Sequence, residues 1–124
     1  MKKNIFLIYV LFLVLYGSGS LLFADRVDEL INDLNSDSSS VRWKAVMFLG
    51  QEKDVRAVDP LIKVIASDQN YGVRVEAIKS LGKIGDKRAI ETLKPLLKSK
   101  DESIRRAAAG ALTSIQSSLG GGSD

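Results

Sequence analysis

One pattern recurs three times in this chain at a spacing of 31 or 32 residues, and any fold must honour it. The copies open with Val27-Asp28-Glu29-Leu30, Val58-Asp59-Pro60-Leu61 and Ile90-Glu91-Thr92-Leu93. Each is followed by a second block: VRWKAVMFLG over 41–50, VRVEAIKSLG over 73–82 and IRRAAAGALT over 104–113. The linkers repeat too, as Asp54-Val55-Arg56-Ala57 and Asp86-Lys87-Arg88-Ala89. A fixed period of this length marks stacked units, each burying its apolar face only against its neighbours. About three units are needed for such a stack to be stable, which is the number present.

Within each copy the apolar spacing is helical. Val58, Leu61, Ile62 and Ile65 fall at i, i+3, i+4 and i+7, the stripe of an amphipathic helix. The spacing predicts first helices near 26–34, 55–66 and 87–98, and second helices near 39–50, 71–84 and 102–117. On the second helices Val41, Ala45, Phe48 and Leu49 mark one face, matched by Val73, Ala77, Ser80 and Leu81. Polar stretches at 35–40 and 67–71 suit the turns between them. Asp54 and Asp86 suit N-caps, and Gly85 suits the left-handed residue after a helix. Pro95 lies inside its expected helix and should kink it; Pro60, nearer a helix start, should cost less. The expected fold class is therefore all-α, a superhelical solenoid of three helical hairpins with repeats at 26–54, 55–86 and 87–117.

The first 24 residues have a different character. Lys2 and Lys3 precede an unbroken apolar run, IFLIYVLFLVLY over 5–16, then Gly17-Ser18-Gly19-Ser20 and Leu21-Leu22-Phe23-Ala24. That order is the layout of a secretory signal peptide, with cleavage expected after Ala24 or at Gly19 or Ser20. Twelve apolar residues are too few to span a bilayer of roughly 30 Å, whereas 5–24 as one helix would just reach. An uncleaved anchor is thus the alternative. The expected domains are a leader at 1–24, a repeat domain at 25–118 and a flexible Gly-rich tail at 119–124. The expected location is the bacterial envelope, periplasmic or secreted.

The whole chain carries +3, with 18 Lys+Arg against 15 Asp+Glu. The leader holds two of the lysines and no acid, so the rest carries 16 against 15. This near-neutral balance argues against nucleic-acid binding, which wants clustered positive charge. There is no Cys and no His, which excludes disulfides, thiolate and imidazole chemistry, and zinc sites built on either. No carboxylate loop with calcium-binding spacing and no nucleotide- or hydrolase-type fingerprint occurs. The sequence reads as having no catalytic residue, cofactor or metal.

The segment VRVEAIKSLGKIGDKRAIETL over 73–93 resembles HEAT-like repeats, specifically the short class named for phycobilisome lyases. The resemblance covers about 26–116. It implies an armadillo-like helical stack whose second helices line a binding face. It also implies that the recurring Arg42, Arg74 and Arg105 pair with aspartates of the preceding turns, with Asp37, Asp68 and Asp101 as candidates. An anion-binding ladder is the competing reading of these arginines. Two repeats depart from the pattern: Gln51-Glu52-Lys53 replaces Lys83-Ile84-Gly85 in the first, and Thr113 replaces Gly in the third.

The outward stripe of the second helices supplies the candidate site. It comprises Trp43, Lys44 and Met47, then Val75, Glu76 and Lys79, then Arg106, Ala107 and Gly110, each set contiguous by helical spacing. Trp43 and Met47 stand out, since Trp is enriched at hot spots and Met adapts to varied partners; Trp43 packed into the core is the competing reading. The small-residue run at 107–111 suits close helix packing, or a flat surface for a second copy. Lys98, Lys100, Arg105 and Arg106 lie beside Asp101 and Glu102 and read as a solvated surface. The expectation is an exported, non-catalytic protein–protein interaction or scaffold module with a protein partner and no nucleic acid, touching a membrane only if the leader is retained. The alternatives are an accessory subunit of an enzyme such as a bilin lyase-like component, and a nucleic-acid-binding HEAT-like protein.

Overall fold

The computed structural model describes residues 2–12 and 18–121. Among the described residues seven α-helices run in chain order: α1 Lys2–Phe12, α2 Ser18–Asp33, α3 Ser39–Glu52, α4 Val58–Ser67, α5 Tyr71–Ile84, α6 Ile90–Leu93 and α7 Glu102–Gly120. Short 3-10 turns, Val55–Ala57 and Lys87–Ala89, lead into α4 and α6, and a third, Lys94–Lys98, follows α6. No strand occurs among the described residues. None of their helices is long and apolar enough to cross a membrane.

Three hairpins result, α2 with α3, α4 with α5, and α6 with α7. The second helices lie side by side, with α5 packed between α3 and α7. The core runs through all three hairpins. Val46, Leu49, Val58, Leu61, Val73, Ile78, Leu81, Leu93 and Ile115 are fully buried. Each such side chain contributes roughly 1.5–3 kcal/mol of transfer free energy, so the expected all-α stack is held by one continuous apolar seam.

Local chemistry fixes the helix ends. Ser38, Asn70 and Asp101 cap α3, α5 and α7 by accepting from the backbone N–H of Val41, Val73 and Ile104. Asp54 and Asp86 cap the 3-10 turns at 55–57 and 87–89, accepting from Arg56 N at 2.9 Å and Arg88 N at 2.8 Å. The same two arginine side chains fold back onto the capping carboxylates. Those hydrogen bonds hold the Asp54 and Asp86 carboxyls below the usual aspartate range. Gly85 ends α5 at φ 76°, as expected, while Lys53 holds the matching place after α3 at φ 53°. A β-carbon is strained there, so the first repeat reaches the shared turn at an energetic cost.

Four expectations are corrected. The first repeat's opening helix starts at Ser18 rather than near 26; Leu21, Leu22 and Ala24 are good helix formers and continue it without a break. The segment 87–98 is not one helix. Pro95 lacks the N–H a continuing α-helix needs, and the chain tightens into the 3-10 turn Lys94–Lys98. Val41 is exposed although its counterpart Val73 is buried, because α5 has a second helix on both sides and α3 on one. Finally, α7 continues into the expected tail as far as Gly120, and 122–124 lie outside the described residues.

Candidate docking groove

The three second helices approach closely because small residues face each other at their crossings. A Cβ added to Gly50 would lie 2.6 Å from Ser80 Oγ, and one added to Gly82 would lie 2.7 Å from the Ala111 Cα. Both distances are below any real Cβ contact, so only glycine permits these approaches. Ser80 is fully buried, and its hydroxyl donates to the Val46 carbonyl at 2.9 Å.

The recurring arginines close the turns between helices. Each donates through Nη1 to the backbone carbonyl six residues earlier: Arg42 to Ser36 at 2.8 Å, Arg74 to Asp68 at 2.7 Å and Arg105 to Ser99 at 2.7 Å. The expected pairing with own-turn aspartates is corrected accordingly. Among the described residues, the only carboxylate these three arginines hydrogen-bond is Asp68, and it is reached from the preceding repeat. Arg42 Nε and Nη2 grip its two oxygens at 2.8 and 3.1 Å. These side chains are 16% and 5% exposed. The own-turn carboxylates have other work: Asp68 accepts from Asn70 N at 2.8 Å, and Asp101 caps α7 while accepting from the Tyr71 hydroxyl at 2.6 Å. Burial pushes the Asp68 carboxyl up, but the Arg42 and Asn70 hydrogen bonds outweigh it and the net shift is downward. The arginines are thus bound inside the fold, which disfavours the anion-ladder reading.

Beside the close crossings an open groove of about 820 Å³ runs over α3, α5 and α7. Seven of the nine candidate residues of the stripe line it: Trp43, Val75, Glu76, Lys79, Arg106, Ala107 and Gly110. Trp43 is 39% exposed at the α3 end, neither fully in the core nor free of it. The other two candidates are outside the lining. Lys44 is exposed and Met47 half-buried, both on α3. The floor is made of Gly82, Ala107, Gly110 and Ala111. The small-residue run is therefore divided: Ala108 and Ala111 are buried in helix packing, while Ala109 and Gly110 are exposed.

The groove also contains residues the stripe did not include, among them Tyr71, Lys83, Ser103 and Ser114. Tyr71 is four residues before Val75, and Lys83 four after Lys79, so extending the same stripe by one helical turn in each direction would have found them. Tyr71 also stacks beneath the Arg74 guanidinium at 5.8 Å. The hydrogen bond it donates to Asp101 raises the tyrosine pKa and lowers that of the aspartate. Among the described residues, no group of three or more His, Cys, Asp or Glu is placed to hold a metal ion.

A family profile described as HEAT repeats matches residues 27–113. The chain is 37% identical over 76 residues to the bilin biosynthesis protein PecE of Mastigocladus laminosus, covering 61% of this chain and 28% of that protein. It is 32% identical over 94 residues to the phycocyanobilin lyase subunit alpha of Nostoc sp., covering 69% and 34%. The chain thus spans about a third of the length of these relatives. Among solved structures, the complex of CpcE and CpcF of phycocyanin lyase from Nostoc sp. superposes with a TM-score of 0.68 at 30% identity, covering 73% of this chain and 37% of the other. Human deoxyhypusine hydroxylase reaches the same TM-score at 24% identity, covering 73% and 32%, a likeness of fold. From the stacked hairpins, the glycine crossings and the matched profile, this chain belongs to the HEAT-repeat family.

Proposed function

We propose that the chain is a non-catalytic docking subunit, of the accessory kind represented by its lyase-subunit relatives, which holds a protein partner across the α3–α5–α7 groove. The observation that carries this reading is the groove itself. It crosses all three repeats on one side and presents a half-exposed tryptophan at one end. Stacked repeats use extended surfaces of this kind for binding, and a rigid aromatic anchor beside a small-residue floor suits a hot spot. The relatives add support, since CpcE is solved in complex with CpcF. The reading assigns this chain no bond-making step.

The test compares the full chain with Trp43→Ala. Both are immobilised and used to capture proteins from the native host. The variant is expected to lose the partner that the wild type retains, with its melting temperature within about 2 °C of wild type. A large drop in melting temperature would make Trp43 a core residue and remove the reading.

The proposal extends to location: residues 1–24 direct the repeat domain out of the cytoplasm. Support comes from the charged start, the apolar run at 5–16, and the exposure of every apolar side chain from 5 to 11 on α1. Intact mass of the protein from its native host tests this, and a mass that still includes 1–24 overturns cleavage.

A further inference from the structure

We infer that the groove accepts an acidic, amphipathic helix of the partner protein; this rests on the docking reading above and specifies the chemistry of what docks. The first argument is charge. Lys79, Lys83 and Arg106 line the groove against Glu76 alone, so the lining carries 3 − 1 = +2. The chain outside its leader carries only 16 − 15 = +1. Arg106 is paired with Glu102 beside the groove, so among the described residues the unpaired positive charge of this face is that of Lys79 and Lys83.

The second argument is how the cations are used. On the other edges four arginines are paired with carboxylates within the fold. Arg26 meets Glu52, Arg42 meets Asp68, Arg56 meets Asp54 and Asp28, and Arg88 meets Asp86. In the groove Arg106 meets Glu102 at 2.6 Å. Lys79 and Lys83 stand one turn apart on α5, and among the described residues neither has an acid within ion-pair distance. Both are exposed. They form the part of the face whose charge the fold leaves for something else to meet.

The third argument selects a helix over an extended strand. The groove walls are helices, whose main-chain groups are bonded internally, so a strand would find few main-chain partners there. A helix brings its own hydrogen bonds satisfied. The floor of Gly82, Ala107, Gly110 and Ala111 lets its apolar stripe come close. Three helices at about 8–10 Å spacing present a track of about 20 Å, crossed by roughly four turns of a docked helix.

The experiment uses the full chain and its only tryptophan, Trp43, as the fluorescent reporter at the groove. Three synthetic peptides of about 20 residues, long enough to cross the track, share one leucine stripe. Their polar faces are Glu, Gln or Lys. At low salt the Glu peptide is expected to shift Trp43 emission and to bind at least about tenfold tighter than the Gln peptide, with the Lys peptide weakest. Lys79→Glu combined with Lys83→Glu is expected to invert that order. Both side chains are exposed, and circular dichroism verifies the fold of the double variant. If the Gln or Lys peptide binds as tightly as the Glu peptide, or the double variant keeps the wild-type order, the acidic partner is overturned while the docking groove stands. If no peptide perturbs Trp43 and the Trp43→Ala capture also shows no loss, both fall.

Discussion

The two junctions of the stack have the same geometry and different chemistry. Between the first and second repeats, Gly50 sits over the buried Ser80, whose hydroxyl bonds the Val46 carbonyl. Arg42 clasps both oxygens of Asp68. Between the second and third, Gly82 sits over Ala111, which offers no hydroxyl. The place of Asp68 is taken by Ser99, and the cross-repeat polar contacts are Tyr71 to Asp101, Arg88 to the Val55 carbonyl and Ser118 to the Gly85 carbonyl, all exposed. The first junction is fastened by a nearly buried ion pair and the second by close apolar approach with exposed hydrogen bonds. A solenoid needs a small residue at each crossing; the fastening around it can vary.

That comparison can be broken at its most crowded point. Gly82→Val would drive a branched side chain into the Ala111 backbone, so the helices must separate. The expected loss is about 3 kcal/mol by chemical denaturation, at the upper end of overpacking costs. A loss under about 1 kcal/mol would mean that the second junction is loose.

Next comes the ion pair. Asp68→Asn leaves Arg42 without its counter-charge and is expected to lower the melting temperature by several degrees. Asp101→Asn at the other junction is expected to cost less, because its partners are exposed. Equal effects would erase the distinction between the junctions.

The same contrast has a pH signature. The folded-state pKa of Asp68 is depressed, so its contribution is present above the unfolded aspartate value and is lost as pH falls through the acid range, below about 4. Asp54, Asp86 and Asp101 shift in the same direction. Thermal melts from neutral to acid pH should therefore show falling stability, with a shallower fall in Asp68→Asn. Wild type and variant melting in parallel would remove Asp68 as a source of the slope.

Smaller effects sharpen the repeats themselves. Lys53→Gly gives the first repeat the left-handed residue that Gly85 gives the second, and is expected to stabilise by about 1 kcal/mol in denaturant titration. Ser80→Ala makes the first crossing resemble the second. The lost hydrogen bond and the retained shape should nearly offset, giving a change within about 1 kcal/mol in the same titration.

The periodicity was enough to place all three hairpins, because apolar spacing and capping chemistry are local. Ser38 and Asn70 sit in turns the pattern left polar, and Asp54, Asp86 and Gly85 act as their residue types require. Most of the groove was legible too, since Trp43, Val75, Glu76, Lys79 and Arg106 share a register. Lys44 and Met47 fell outside it, because a helical stripe is wider than the strip that faces a neighbour. Tyr71 and Lys83 were missed because the stripe was cut one turn short at each end.

The sequence by itself determined the repeat unit, its register and its helix ends, each a matter of residues a few positions apart. Only the tertiary structure decided which carboxylate Arg42 takes. Asp37 is closer in sequence, but stacking brings Asp68 from the next repeat into reach of the guanidinium fork. It also decided that Gly50 and Gly82 are crossing points, that Val41 is exposed where Val73 is buried, and that Trp43 stands half out of the core. Those outcomes depend on what a neighbouring hairpin covers, and a helix pattern records its own faces without recording what packs on them.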